Sequence, residues 1–377
     1  MRRISRREFL KLSSLCPLAL GLTRYAFGKP SDLIDGEHIF VVKEAMFYEK
    51  LPDKRIKCVL CPRECVIGDR ERGWCGVREN RDGIYYTLAY ANPCAVHVDP
   101  IEKKPFYHFL PGSLAFSIST AGCNLNCKYC QNWQISQRRP EQTDNVYLPP
   151  EKVVSLAKQT GCKSIAYTYA EPTVFYEYMF DTSVAARKSG IRNVVVSAGF
   201  INREPVKKLC EVVDAIKIDL KAFREKFYRE ICRGELKPVL EAIKTIKSQG
   251  VWLEIVVLVV PTLNDSPQEF HDLASWVMDE LGPDVPLHFS RFYPMYQLKS
   301  LSPTPLSTLE RAREEALKVG LKYVYLGNIN PMHEANNTFC PNCGRMLIRR
   351  LRFYVVQNDI VNGKCKYCGY EIAGVWA

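Results

Sequence analysis

From about residue 115 onward, short runs rich in β-branched and apolar residues alternate with longer stretches whose apolar positions recur at helical spacing. The runs fall at residues 115–120, 164–169, 194–197, 215–219, 252–260 and 287–292, with 322–326 as a further candidate. Helical patterns occupy 150–160, 173–189, 203–212, 235–249, 266–281 and 307–319, and two of them open with recognisable start chemistry. Pro149 and Pro150 precede Glu151, and Ser266 and Pro267 precede Gln268. Six βα units in sequence predict an α/β fold, a partial (β/α)6 barrel of the TIM type over residues 115–337. In such folds the loops leaving the strand C-termini carry the chemistry.

Two cysteine-bearing segments flank these units, residues 36–114 before them and 338–377 after. Each is too short for a large core of its own, and metal coordination is the usual remedy at that size. At 47% hydrophobic and 25% charged residues the chain reads as globular, and no apolar stretch of about 18 residues suggests an integral membrane body.

The formal charge of +11 is unevenly spread. Residues 1–29 hold seven basic residues against Glu8 alone, which accounts for +6 and leaves only +5 for the rest, too little to single out nucleic acid. Residues 1–30 have the layout of a secretory signal: a basic start, an apolar run from Leu10 to Leu22, then small residues near Gly28. Ser5, Arg6, Arg7, Glu8, Phe9, Leu10 and Lys11 resemble a twin-arginine export motif, which implies export or membrane tethering. The alternatives are a basic amphipathic helix lying on the membrane or a fortuitous arginine pair, with a cytoplasmic location.

Sixteen cysteines in closely spaced groups suit metal binding better than a disulfide framework. Cys123, Cys127 and Cys130 lie on the loop leaving the first predicted barrel strand, with three and then two residues between them. Three thiolates leave one iron of a four-iron cubane open, whereas a structural zinc site would have four protein ligands. Upstream, Cys58, Cys61, Cys65 and Cys75 supply the count that either zinc or a second iron–sulfur cluster requires. At the C-terminus, Cys340, Cys343, Cys365 and Cys368 form two CxxC knuckles, each followed by a glycine, the pattern of a zinc ribbon, with a rubredoxin-like iron site as the alternative. Arg345, Arg349, Arg350 and Arg352 on that ribbon read as a solvated basic face, and the isolated Cys16, Cys162, Cys210 and Cys232 as small buried thiols.

The segment CNLNCKYC resembles the CxxxCxxC signature of the radical S-adenosylmethionine (SAM) superfamily. That resemblance implies a [4Fe–4S] cluster whose open iron is chelated by SAM, with Tyr129 near the adenine. Tyr169 to Thr173 (YAEPT) take the place of the family's Gly-Gly-Glu-like segment, so that Glu171 would meet the SAM ammonium; the glycines themselves are absent. Ser197 and Gly199 resemble the third-strand segment near the ribose and carboxylate, and Asp219 and Lys221 in KIDLK resemble the fourth-strand motif of glycyl-radical activating enzymes. Asn264, Asp265 and Arg291 take rim positions.

The longer runs DPIEKKPFYHFLPGS, CVLCPRECVIG and GWCGVR resemble the AmmeMemoRadiSam-system radical SAM enzymes, relatives of the pyruvate formate-lyase activating enzymes. The implied reaction is reductive cleavage of SAM to a 5′-deoxyadenosyl radical that abstracts hydrogen, fed by a flavodoxin- or ferredoxin-type donor. A protein or peptide substrate follows by analogy with the activating enzymes. RNA or a small metabolite is the alternative substrate, and a non-catalytic iron–sulfur or zinc module is the alternative class.

Overall fold

The computed structural model describes residues 41–377. The export-type segment at residues 1–30 lies outside the described residues.

Residues 41–90 build two small antiparallel sheets, a stretch in which the sequence pattern predicts no strands. β1 (Val41–Glu44), β5 (Arg78–Arg81) and β6 (Ile84–Tyr90) form one, in the order β1-β6-β5; β2 (Tyr48–Lys50), β3 (Ile56–Cys58) and β4 (Val66–Ile67) form the other. Their strands are only two to seven residues long, too short to show a period in the sequence.

The principal sheet has eight strands in strictly sequential order. They are β7 (Ala95–Pro100), β8 (Leu114–Ser119), β9 (Ser164–Tyr167), β10 (Arg192–Ser197), β11 (Ala215–Asp219), β12 (Trp252–Val259), β13 (Leu287–Arg291) and β14 (Val324–Gly327). All neighbouring pairs from β8 to β14 are parallel, while β7 runs antiparallel to β8 with Ala95 opposite Ser119 and Pro100 opposite Leu114. The candidate run at 322–326 is therefore a seventh parallel strand, and β7 adds an edge strand.

Between the strands lie α1 (Pro150–Gln159), α2 (Tyr176–Lys188), α3 (Arg203–Cys210), α4 (Leu236–Ser248), α5 (Pro267–Leu281) and α6 (Leu306–Val319). Ser266 caps α5 by accepting a bond from the Glu269 N–H, with Pro267 in the first turn. The helix predicted over 173–189 starts instead at Tyr176. Pro172–Phe175 forms a 3₁₀ turn whose first N–H groups are claimed by Glu171. Among the described residues no helix is long and apolar enough to cross a membrane.

The C-terminal strands β15 (Thr338–Phe339), β16 (Met346–Leu351) and β17 (Tyr354–Asn358) form a three-stranded sheet, and β18 (Ile360–Val361) pairs with β19 (Lys364–Cys365). This segment shares a core with the principal sheet through Tyr107, Tyr323, Tyr325, Leu347, Ile348 and Ile372. Here the expected solvated arginine face needs correction at one position. A bulge between Arg349 and Arg350 turns Arg350 inward, where it is 2% exposed, donates to the Tyr107 carbonyl at 2.7 Å and lies over the Tyr107 ring. Beneath it, buried Glu254 accepts bonds from the Tyr107 and His108 N–H groups and from the His288 and Trp252 rings. These bonds fasten the DPIEKKPFYHF stretch to β12 and β13.

Candidate functional site

The strand C-termini of the principal sheet converge on one polar centre. β8 ends at Ser119, and the chain turns at Gly122 with φ +94° before entering the Cys123 loop. A Cβ at Gly122 would stand 2.5 Å from Val77 Cγ1 and 2.8 Å from the Cys75 carbonyl, so only glycine lets the loop pass this close to the N-terminal segment. The loop is then held by backbone bonds from Asn126 N–H to the Cys232 carbonyl and from Lys128 N–H to the Ile231 carbonyl, each at 2.9 Å. Those carbonyls belong to a π-helical turn, Tyr228–Cys232, a distortion frequent at functional sites.

Within the loop, Cys123 accepts from the Leu125 N–H and Cys130 contacts the Ser136 hydroxyl at 3.2 Å. Burial pushes the Cys123 thiol well above its ordinary range, and Cys127 is raised by its hydrogen bond with Cys232 and then by burial. Thiols in such surroundings ionise when a metal centre supplies the opposing charge. The three do not gather within the spacing of one ion: the only such group among the described residues is the C-terminal one. Three separated thiols on one short loop fit a cubane, which spreads its ligands over several irons.

Next along the rim, β9 leads into Tyr169, at φ +68°, and then Glu171. Asn132 of the cysteine loop donates to the Tyr169 carbonyl at 2.7 Å, which ties the two loops together. Glu171 is buried and heavily bonded. Its Oε1 accepts from the Thr173 hydroxyl at 2.7 Å, the Thr173 N–H at 3.2 Å and the Ser197 hydroxyl at 2.6 Å; its Oε2 accepts from the Ala198 N–H at 2.8 Å. A carboxylate oxygen has room for about two strong bonds, so Oε2 retains an acceptor side while Oε1 is filled. Ser197 Oγ in turn accepts from the Gly199 N–H at 2.9 Å. The structure thus joins Glu171, Ser197 and Gly199 in one network, with Cys123 close enough to feel the carboxylate.

Asp219, at the end of β11, pairs with Lys217 and with Lys221, the latter at 3.1 Å. Burial would raise Asp219, but Lys217 and Lys221 outweigh it and bring it to about 2. Burial would lower Lys221, yet Asp219 and the Cys127 and Cys232 sulfurs leave it raised. Tyr129 is buried with its hydroxyl 3.5 Å from Cys232 Sγ. Asn264 braces a loop, bonding the Val260 N–H and the Lys221 and Leu258 carbonyls, while Asp265 accepts from the Thr262 N–H. Arg291 donates to the Thr304 carbonyl.

Sequence reasoning missed Cys232, read as an isolated buried thiol, and Lys217. Cys232 carries no spacing signal, and only the tertiary fold sets it against Cys127, whereas Lys217 stands two residues before Asp219 on β11, where the strand period itself puts both side chains on one face. It also missed a trio at the β7 end, where Lys103, Lys104 and Tyr169 all engage Asp99.

The two outer cysteine groups differ in geometry. In the C-terminal group all four sulfurs lie within 4.8 Å of one another, with Cys340–Cys368 at 3.6 Å and Cys343–Cys365 at 3.8 Å. One tetrahedral ion with metal–sulfur bonds of about 2.3 Å sets sulfurs roughly 3.8 Å apart. The knuckles are near copies: Gly344 and Gly369, at φ +70° and +74°, each donate to the carbonyl of the first cysteine at 2.9 Å. In the upstream group, Cys58, Cys61, Cys65 and Cys75 line one cavity together with Arg63, Arg78 and Asn124. Burial pushes Cys61 up to about 12.

A family model described as the radical SAM superfamily matches residues 117–276, the stretch from β8 into α5. An uncharacterised protein of Methanocaldococcus jannaschii is 47% identical over 333 residues, covering 88% of this chain and 99% of that protein. The chain belongs to the radical SAM superfamily. Membership implies an enzyme that uses a [4Fe–4S] cluster and SAM, and the Cys123, Cys127 and Cys130 loop is the group of thiols that fits. The pyruvate formate-lyase 1-activating enzyme of Escherichia coli is 24% identical over 219 residues, spanning 54% of this chain and 89% of that enzyme. A radical SAM methyltransferase structure from Sphaerobacter thermophilus aligns with a TM-score of 0.46 at 13% identity, over 84% of this chain and 83% of that one.

Proposed function

We propose that this chain cleaves SAM reductively at a cluster held by Cys123, Cys127 and Cys130, and that it abstracts hydrogen from a protein or peptide substrate. The observation that carries the first part is the Glu171 network beside Cys123: an anionic acceptor with one open side, fixed by four donors, at the mouth of the parallel sheet. When bound, the cluster supplies the electron that splits SAM into methionine and a 5′-deoxyadenosyl radical. The protein's part is to bind, orient and shield. Glu171 Oε2 offers its open side to an ammonium, Ser197 and Gly199 adjoin it through the Ser197 hydroxyl, and Asp219 with Lys221 presents paired charges at the end of the neighbouring strand, where Ser197 pairs with Ile218. The six units from β8 to β13 act as a partial (β/α)6 barrel whose rim these loops form.

The protein-substrate reading is supported by likeness to the activating enzymes. Spacing near 3.8 Å supports zinc in the C-terminal ribbon. A flavodoxin- or ferredoxin-class donor would supply the electron, and the twin-arginine-like segment would direct export or tethering.

The test is anaerobic reconstitution with iron and sulfide, addition of dithionite and SAM, and quantification of 5′-deoxyadenosine. The wild type should form it and a triple Cys→Ala variant at 123, 127 and 130 should not. Glu171→Ala should weaken SAM binding by roughly 10- to 150-fold, the worth of one charged hydrogen bond of about 1.5–3 kcal/mol. An intact cluster in the wild type with no 5′-deoxyadenosine would refute the proposal.

A further inference from the structure

We infer that Cys58, Cys61, Cys65 and Cys75 hold a second [4Fe–4S] cluster, which passes electrons one at a time to the cluster on the Cys123 loop. The relay rests on the reading of that loop given above; the second site stands on its own geometry.

The choice between zinc and a cluster turns on spacing. Within the same chain, the ribbon cysteines converge to single-ion distances, with every sulfur within 4.8 Å of the others. The upstream four ring a shared cavity yet do not converge in that way. Four thiols around one space, set wider than one tetrahedral ion allows, match a cubane with one thiolate per iron.

A second observation also points to an anionic occupant. Arg78 lines the cavity at 1% exposure, and its Nη atoms grip Glu177 while its Nε–H has no hydrogen-bond partner. A buried donor left open costs free energy, and the sulfides and thiolates of a cluster are natural acceptors for it. Close packing shapes the same space, since a Cβ at Gly73 would stand 3.8 Å from Cys65 Sγ and 2.8 Å from the Tyr85 hydroxyl.

Adjacency gives the site its role. The cavity wall includes Asn124, the residue directly after Cys123. On the other side the Cys75 carbonyl lies against Gly122, directly before Cys123. Arg63 bridges the two groups: its Nε donates to the Asn124 carbonyl at 3.0 Å, and its charge is felt by Cys61, Cys65 and Cys123 alike. No intervening element separates the two cysteine groups, so an electron entering the upstream cluster has a short path to the other. In the step, a reduced ferredoxin-class protein is oxidised by one electron and the upstream cluster goes from the 2+ to the 1+ state. It then returns to 2+ as the SAM-binding cluster is reduced from 2+ to 1+. No proton or bond is exchanged.

The test uses the full chain, reconstituted anaerobically, with iron, acid-labile sulfide and zinc measured per chain. The wild type should carry about eight irons, and the triple Cys→Ala variant at 123, 127 and 130 should keep about four with a reducible cluster signal in electron paramagnetic resonance. This variant leaves the upstream fold untouched, so it reads the second site directly. A triple variant with no iron but zinc beyond the ribbon's share would overturn the inference. For the relay, a Cys58→Ala/Cys61→Ala variant should lose about tenfold or more of its 5′-deoxyadenosine formation when a reduced ferredoxin is the donor, yet keep it with dithionite. In the wild type, both clusters reduced together should show magnetic broadening of each other's signal. Unchanged ferredoxin-driven cleavage in the double variant, or two sharp independent signals, would overturn the relay. If the wild type carries eight irons but never cleaves SAM, the proposed function fails while the second cluster stands.

Discussion

Arg78 and Glu177 form a fully buried, two-pronged ion pair, with Nη1–Oε1 at 3.1 Å and Nη2–Oε2 at 2.6 Å, between β5 of the N-terminal segment and α2 of the parallel-sheet unit. Glu177 also accepts the Met46 N–H at 2.8 Å. Removing one partner strands the other charge at a site with no water to solvate it, a loss of about 3–5 kcal/mol. Unfolding entropy near 2.1 cal/mol/K per residue makes each kcal/mol worth roughly 1.3 °C in a chain of this size, so Arg78→Met should lower Tm by about 4–6 °C. Glu177→Leu should do the same. The double variant Arg78→Met/Glu177→Leu leaves no stranded charge and should recover at least half of the loss, because paired buried ions add little over apolar groups of similar volume. The assay is anaerobic differential scanning calorimetry of all four proteins reconstituted alike. If the double variant loses as much as the two singles combined, the pair is not what anchors the segment, and the desolvation argument is wrong.

Three further outcomes follow from the geometry. Buried His108 is lowered from its usual 6.5 to about 4, by burial first, with Glu254 opposing and Arg350 and His288 reinforcing. A depressed histidine makes the unfolded chain the better proton binder, so its contribution is present above about pH 6.5 and is lost as pH falls toward 4. That is worth roughly 3 kcal/mol at about 1.36 kcal/mol per unit, and His108→Gln should flatten that part of the stability–pH profile. Gly122→Ala, with φ at +94° and the Cys75 carbonyl 2.8 Å from the new methyl, should cost roughly 1–3 kcal/mol and lower iron retention on both sides of the contact, read by iron analysis after gel filtration. Cys368→Ala should release about one zinc per chain and alter Trp376 fluorescence, since Gly363 between the knuckles packs on that indole; unchanged zinc content would refute the ribbon assignment.

Much of this protein was legible in its sequence because the relevant signals are local. Strands buried on both faces print apolar runs of four to eight residues, and helices between them print a 3.6-residue period, so β8 to β13 and their helices could be placed to within a few residues. Cysteine spacing is also local: a CxxC knuckle draws its two sulfurs to one side through a turn that the intervening residues fix, and a three-thiol loop keeps its cysteines on one short segment. The Glu171, Ser197 and Asp219 positions were readable through their resemblance to radical SAM segments, and they stand at or a few residues beyond strand ends of a parallel sheet, which delivers such positions to one rim.

Contacts between segments far apart in the chain were decided only by tertiary structure. Short strands such as β2 and β4 carry no period, and their pairing depends on partners tens of residues away. Arg350 reads as one of four surface arginines, yet a single bulge places it under Tyr107. Cys232 carries no spacing signal, and a π-helical turn sets it beside Cys127. The nearness of the upstream cysteines to the Cys123 loop belongs to the same class. It depends on Gly122 passing against Cys75, a contact whose importance is set by packing rather than by any pattern along the chain.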